Sequence, residues 1–144
     1  MRALLDVNVL VALFDAEHVF HEKAHAWLKA EAGEGIASCS ITENGLVRIL
    51  SHPNYSQNHP LTPAWVVEGM QAFFSHQDHA FWPDTVSLRD PNRFDPSQIL
   101  GSRQVTDVYL LGLSLANQGR LVTLDHGISR SAVPLAAEAH LCLI

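Results

Sequence analysis

Ala3–Leu5, Ile36–Cys39, Ala80–Trp82, Leu121–Leu124 and His140–Ile144 are short, mostly apolar runs, and the stretches between them carry helical periodicity. A strand that is apolar throughout, rather than at alternate positions, is buried on both faces. Such strands need helices above and below, so the chain predicts an α/β fold: a central parallel sheet of about five short strands with helices on both faces. The helical stretches are Val7–Phe14, His21–Ala32, a segment from Ser40 to about Leu50, one from Thr62-Pro63 to about His76, and Thr106–Asn117. The expected order is β-α-α-β-α-α-β-α-β-(α)-β. No repeat, linker or low-complexity tract divides residues 1–144, which read as one domain.

Four acidic residues stand where this chain changes direction. Asp6 follows the first strand and Asp125 the fourth, while Glu43 and Asp107 lie in first turns of helices. Each has an ordinary use taken singly. Asp6 suits an N-cap, Glu43 completes a capping box with Ser40, Asp107 complements a helix dipole, and Asp125 precedes the turn at Gly127. A parallel sheet changes their meaning, because strand ends and helix starts meet at one edge, where such folds place their sites. Two carboxylates about 4 Å apart repel by about 4 kcal/mol at an effective dielectric of 20. Four gathered acids therefore call for protons or a divalent cation. Carboxylate and water ligands suit Mg²⁺ or Mn²⁺, whereas zinc prefers His and Cys. Asn8, Thr42 and Thr106 flank the acids and are candidates for holding carboxylates or waters, with helix capping the other use for Thr106. Arg48, just over one helical turn beyond Glu43, is a candidate for RNA phosphate or for an ion pair; Arg103, Arg120 and Arg130 are further phosphate candidates.

Several classes are disfavoured. A formal charge of −6 does not suit a general nucleic-acid coat, though it permits a basic protein partner and a metal-bridged nucleic-acid contact. Cys39 and Cys142 sit in apolar runs and read as buried free thiols, consistent with a reducing compartment. Asp6, Asn8 and Asp15 interrupt the apolar N-terminus, and no run reaches the ~18 apolar residues of a membrane span. The expectation is a cytoplasmic protein without a membrane partner. His18, His21 and His25 have helical spacing but lack the cysteines or third ligand of a zinc motif. Asp6-Val-Asn8 resembles a phosphoryl-accepting strand end, but a phosphatase of that type needs an acid at Asn8, and a receiver domain needs a late lysine, absent after Lys29. Trp65, Met70, Phe73 and Phe74 read as core, or as a groove for a partner helix.

Four motifs in order, Leu4-Leu-Asp-Val-Asn-Val-Leu-Val-Ala-Leu13, Ile41-Thr-Glu-Asn-Gly-Leu-Val-Arg-Ile-Leu50, Gln104-Val-Thr-Asp-Val-Tyr-Leu-Leu-Gly-Leu113 and Leu121-Val-Thr-Leu-Asp-His-Gly127, resemble those of PIN-domain nucleases. They look most like the VapC toxins of bacterial toxin–antitoxin pairs. The resemblance implies a compact PIN fold and a Mg²⁺- or Mn²⁺-dependent endoribonuclease. It places Asp6, Glu43, Asp107 and Asp125 as catalytic metal-site acids and Asn8 as the polar residue of the first motif. Asp6 and Asp107 are then the expected direct ligands, with Glu43 and Asp125 acting through water. Water as nucleophile implies 5′-phosphate and 3′-hydroxyl products. The family also implies homodimers and a cognate antitoxin whose tail enters the acidic groove. Two other readings share the fold: an RNA-processing nuclease without an antitoxin, and an inactive RNA- or protein-binding module. Asp84–Gly101 is the stretch least like the family pattern.

Overall fold

A computed structural model describes residues 1–144. Strands β1 (Ala3–Leu5), β2 (Ile36–Ser38), β3 (His79–Phe81), β4 (Arg120–Thr123) and β5 (Leu141–Leu143) form one sheet in the order β3-β2-β1-β4-β5. Every neighbouring pair is parallel. Helices α1 (Val7–Phe14), α2 (His21–Glu31), α3 (Ser40–Leu50), α4 (Pro63–Ser75) and α5 (Val105–Ala116) connect the strands, with short 3₁₀ turns beside them. The expected order holds, except that the bracketed last helix is two 3₁₀ turns, Arg130–Ala132 and Glu138–His140. No helix is long and apolar enough to cross a membrane.

The apolar strands bury both faces because their side chains alternate between two cores. Ala3, Leu5, Ile36 and Val122 face the core built with α1–α4. Leu4, Ala37 and Leu121 face the other, with α5, Trp82 and Phe94. Each fully buried Leu or Ile stabilises the fold by roughly 1.5–3 kcal/mol. α1 is too short to persist alone and is held by this packing. At Gly45 of α3, an added Cβ would lie 2.7 Å from the Val7 side chain, so glycine sets how closely α1 and α3 approach. α2 turns Ala24 and Trp27 inward and Glu22, Lys23 and Lys29 outward, as its spacing predicts.

Several local expectations are corrected. β3 begins at His79, one residue before the predicted run, and Trp82 beyond it is buried in the α5-side core. Ser40 does not cap α3: β2 ends at Ser38, the helix already includes Ser40, and Cys39 takes the cap position. The Cys39 N–H donates to Thr42 Oγ1 at 3.0 Å, so Thr42 rather than Glu43 closes the box. In α4, Thr62 accepts from the Trp65 N–H at 3.2 Å and Pro63 follows it, as expected. Val66 and Met70 form the buried stripe and Phe73 and Phe74 pack at its margin, but Trp65 falls off it and is 62% exposed. Cys39 and Cys142 are free thiols, Cys39 fully buried and Cys142 partly.

From β1 the chain builds β2 and then β3 outward on one side. It returns through α5 to lay β4 against the other side of β1, with β5 beyond. The order reverses between β1 and β4, and a crevice opens outside their carboxyl ends.

Candidate active site

Asp6 leaves β1 into this crevice and caps α1. Its Oδ1 accepts the Val7 N–H at 2.6 Å. Its Oδ2 accepts the Thr123 hydroxyl at 2.6 Å and the Asn8 amide at 3.0 Å. Asn8 Nδ2 also donates to Thr123 Oγ1 at 3.0 Å, and Asn8 Oδ1 accepts the Leu124 N–H at 3.1 Å. Asn8 thus ties the end of β4 to the end of β1. Thr123 Oγ1 further accepts the Asp125 N–H at 3.0 Å, and Asp125 Oδ1 accepts the Gly127 N–H at 2.7 Å, which shapes the turn after β4.

Asp107 reaches the same crevice from the first turn of α5. It is partly buried, and no hydrogen bond from any protein group reaches its carboxylate. Burial pushes its carboxyl up to about 6, and the charges of Asp6 and then Asp125 add to the rise. Asp6 is also raised, because burial outweighs the donors from Thr123 and Val7, and Asp125 adds repulsion. Three of the four acids therefore act on one another.

Glu43 stands one strand away, above the end of β2. Its Oε1 accepts the Ser38 hydroxyl at 2.5 Å. Ser38 Oγ also lies 2.8 Å from His79 Nε2. With its one proton given to Glu43, Ser38 must accept there, so His79 carries its proton on Nε2. The His79 ring stacks on Phe74, centroids 3.9 Å apart, and burial lowers its pKa against the opposing pull of Glu43. Glu43 is not among the charges that raise Asp6 or Asp107. No three His, Cys, Asp or Glu side chains form a ready-made cluster for a metal ion.

The other expected residues divide plainly. Asn8 holds Asp6, as anticipated. Thr42 is buried and bonded to the Cys39 backbone, so it supports the start of α3 rather than a carboxylate. Thr106 is exposed, and α5 begins one residue before it, so it neither caps the helix nor holds an acid. Arg48 is exposed, pairs with no carboxylate, and borders a cavity with Ile49, His52, Asn54 and Tyr55 that none of the four acids lines. Arg120 begins β4 and donates to the Glu31 carbonyl at 2.9 Å, at the sheet edge opposite the crevice, which removes it as a phosphate ligand there. His21 and His25 bond the Ala12 and Leu13 carbonyls at 2.8 and 3.1 Å, ending α1. Thr123 and Ser38 were missed by sequence reasoning. Each is the last residue of its strand, where a hydroxyl follows apolar neighbours. A larger cavity of about 640 Å³ lies by Asp15, Tyr55 and Trp65 and contains none of the four acids, so volume does not mark the chemistry here.

No family model matches the chain. Ribonuclease VapC44 of Mycobacterium tuberculosis, however, is 45% identical over 144 residues, covering 100% of both proteins. The chain belongs to the VapC ribonuclease family. Ribonuclease VapC39 of the same organism is 41% identical over 132 residues, covering 92% of this chain and 94% of that protein. Ribonuclease VapC29 is 40% identical over 129 residues, 90% of each. The crystal structure of VapBC2 from Rickettsia felis, bound to a promoter DNA fragment, superposes with a TM-score of 0.56 at 15% identity, covering 100% of this chain and 98% of that one. At that identity the likeness shows the fold alone, and it confirms the PIN-like α/β architecture.

The VapC crevice fits a divalent cation by the chemistry of its donors. Asp6, Asp107 and Asp125 supply hard carboxylate oxygens, and Asp107 has no protein donor to give up. Burial chiefly raises the carboxyls of Asp6 and Asp107, the neighbouring aspartates add to it, and a cation would relieve both costs.

Proposed function

We propose that this VapC chain is a metal-dependent endoribonuclease, hydrolysing RNA phosphodiester bonds in the cytoplasm as the toxin of a toxin–antitoxin pair. The observation that carries this reading is Asp107: a carboxylate without a protein donor, pushed up to about 6, facing two further aspartates at the switch point of the sheet. Identity to VapC ribonucleases along the whole chain supports it.

In this reading Asp6, Asp107 and Asp125 would hold Mg²⁺ or Mn²⁺. A bound divalent cation supplies acidification of water and neutralisation of phosphoryl charge. The protein's own groups set the geometry. Val7, Thr123 and Asn8 fix the position and rotamer of Asp6 and leave one lone-pair direction open, on Oδ1. Asp107, free of protein donors, offers acceptor oxygens to the attacking water. Glu43, held by Ser38, which His79 in turn bonds, orients a water from the β2 side. Attack by water breaks the P–O3′ bond and leaves a 5′-phosphate and a 3′-hydroxyl.

The partners in this reading are an RNA substrate, a cognate antitoxin and a second copy of the chain. The antitoxin is supported by the structural neighbour, a VapBC2 assembly. The homodimer rests on the motif resemblance. Co-expression with the product of an adjacent reading frame tests both: a stable complex that suppresses cleavage, with two toxin chains by light scattering, is expected. Cleavage unaffected by any neighbouring product points instead to a processing nuclease.

A further inference from the structure

A recess beside the carboxylates is used by no step above. Its volume is about 500 Å³, and Asn8, His18, Phe20, Leu124, Asp125 and His126 line it. Asn8 and Asp125 belong to the crevice as well, so the recess and the reaction centre share a wall. Phe20, in that lining, is 41% exposed, so part of its ring is open to a guest. The Phe20 N–H donates to His18 Nδ1 at 3.1 Å, which places the His18 proton on Nε2 and leaves that N–H without a protein partner. The rings of His18 and Phe20 lie 5.9 Å apart, tilted by 45°. Lys23 Nζ lies 5.9 Å from the centroid of the Phe20 ring, at the outer limit of a cation–π contact. His126 is exposed on the wall beside Asp125.

We propose that this recess receives one unstacked nucleobase of the RNA substrate, next to the phosphate that is cut. Phe20 is the stacking platform. His18 Nε2–H and His126 address the edge of the base, and Lys23 swings from the ring to the adjoining phosphate. Aromatic faces flanked by basic and hydrogen-bonding side chains suit single-stranded RNA, whose bases can be splayed out, and a duplex cannot offer a base in this way. A cationic peptide tail fits this wall less well, because Asp125 is its one acid, two imidazoles share the lining, and Lys23 stands beside the Phe20 ring. The inference rests on the ribonuclease reading and assigns a base-binding subsite to the wall beside its reaction centre.

The test is fluorescence anisotropy with a short, labelled, random-sequence single-stranded RNA and with the same RNA annealed to its complement. It is made in an Asp107→Asn background, so that the RNA survives, with Phe20→Ala and Phe20→Trp added. Binding of the single strand over the duplex is expected, weakened about tenfold by Phe20→Ala and kept by Phe20→Trp. In the cleaving protein, Phe20→Ala raises KM for RNA more than it lowers kcat. Thermal melting unchanged in Phe20→Ala separates this from misfolding. Equal binding by Phe20→Ala, with wild-type cleavage intact, overturns the recess and spares the ribonuclease reading. Loss of a co-expressed protein partner without loss of RNA binding overturns it in favour of a protein-docking face. A wild-type chain that neither binds nor cuts RNA overturns both.

Discussion

Thr123 has one proton and two lone-pair directions, and all are committed: the proton to Asp6, the lone pairs to the Asn8 amide and the Asp125 N–H. Removing a hydroxyl that satisfies buried partners costs about 1–3 kcal/mol. Thr123→Val should lower stability by that amount in urea unfolding and reduce cleavage, and Thr123→Ser should restore both. Asp107 gives the pH dependence. Its folded-state carboxyl, at about 6, lies above the ordinary value near 4, so the folded chain binds this proton more tightly than the unfolded one. The stability it contributes is complete below about pH 4, falls as pH rises to about 6, and is flat above. In metal-free buffer, the melting temperature of wild type should decline across that window relative to Asp107→Asn, which lacks the titration; parallel profiles contradict the raised carboxyl of Asp107. The aspartates were legible in the sequence because each follows a strand or opens a helix. Ser38 and Thr123 were not, because a lone hydroxyl in an apolar run has no periodicity to mark it.

Among the elements, α5 shows how packing sets position. A Cβ on Gly112 would overlap the ring of Phe94, which is itself 1% exposed and cannot retreat. Gly112→Ala should cost roughly 1–3 kcal/mol and shift α5, and with it Asp107. Gly33→Ala, with nothing within 4 Å of the added atom, is the neutral control. Chemical denaturation of the two variants checks this. The five strands and five α-helices were readable in order from apolar runs and helical period. The failures lie where tertiary contacts decide a boundary. α3 starts at Ser40 because β2 runs to Ser38 and Thr42 closes the cap, which leaves Glu43 to accept from Ser38, itself bonded to His79. Trp65 shares the helical run of α4 but not its buried face, and a run of apolar letters does not distinguish the two.

For the whole molecule, the parallel order β3-β2-β1-β4-β5 turns scattered acids into a site, because one reversal brings the ends of β1 and β4 side by side. A chain of net charge −6 must still approach a polyanion. A divalent cation held at the crevice would offset that repulsion locally, and binding only to the folded state would raise stability by mass action. Mg²⁺ or Mn²⁺ should therefore raise the melting temperature above pH 6 and have little effect in Asp107→Asn; differential scanning fluorimetry reads this. The most direct test of the central claim is the chemistry of the cut ends. Purified chain, freed of any partner, is incubated with total RNA and Mg²⁺, with EDTA, and as Asp107→Asn, and the fragments are end-typed. Discrete fragments with 5′-phosphate and 3′-hydroxyl ends, absent with EDTA and absent in the variant, are the predicted result. Cleavage that survives EDTA, full activity in Asp107→Asn, or 2′,3′-cyclic phosphate ends would contradict a carboxylate-held metal centre.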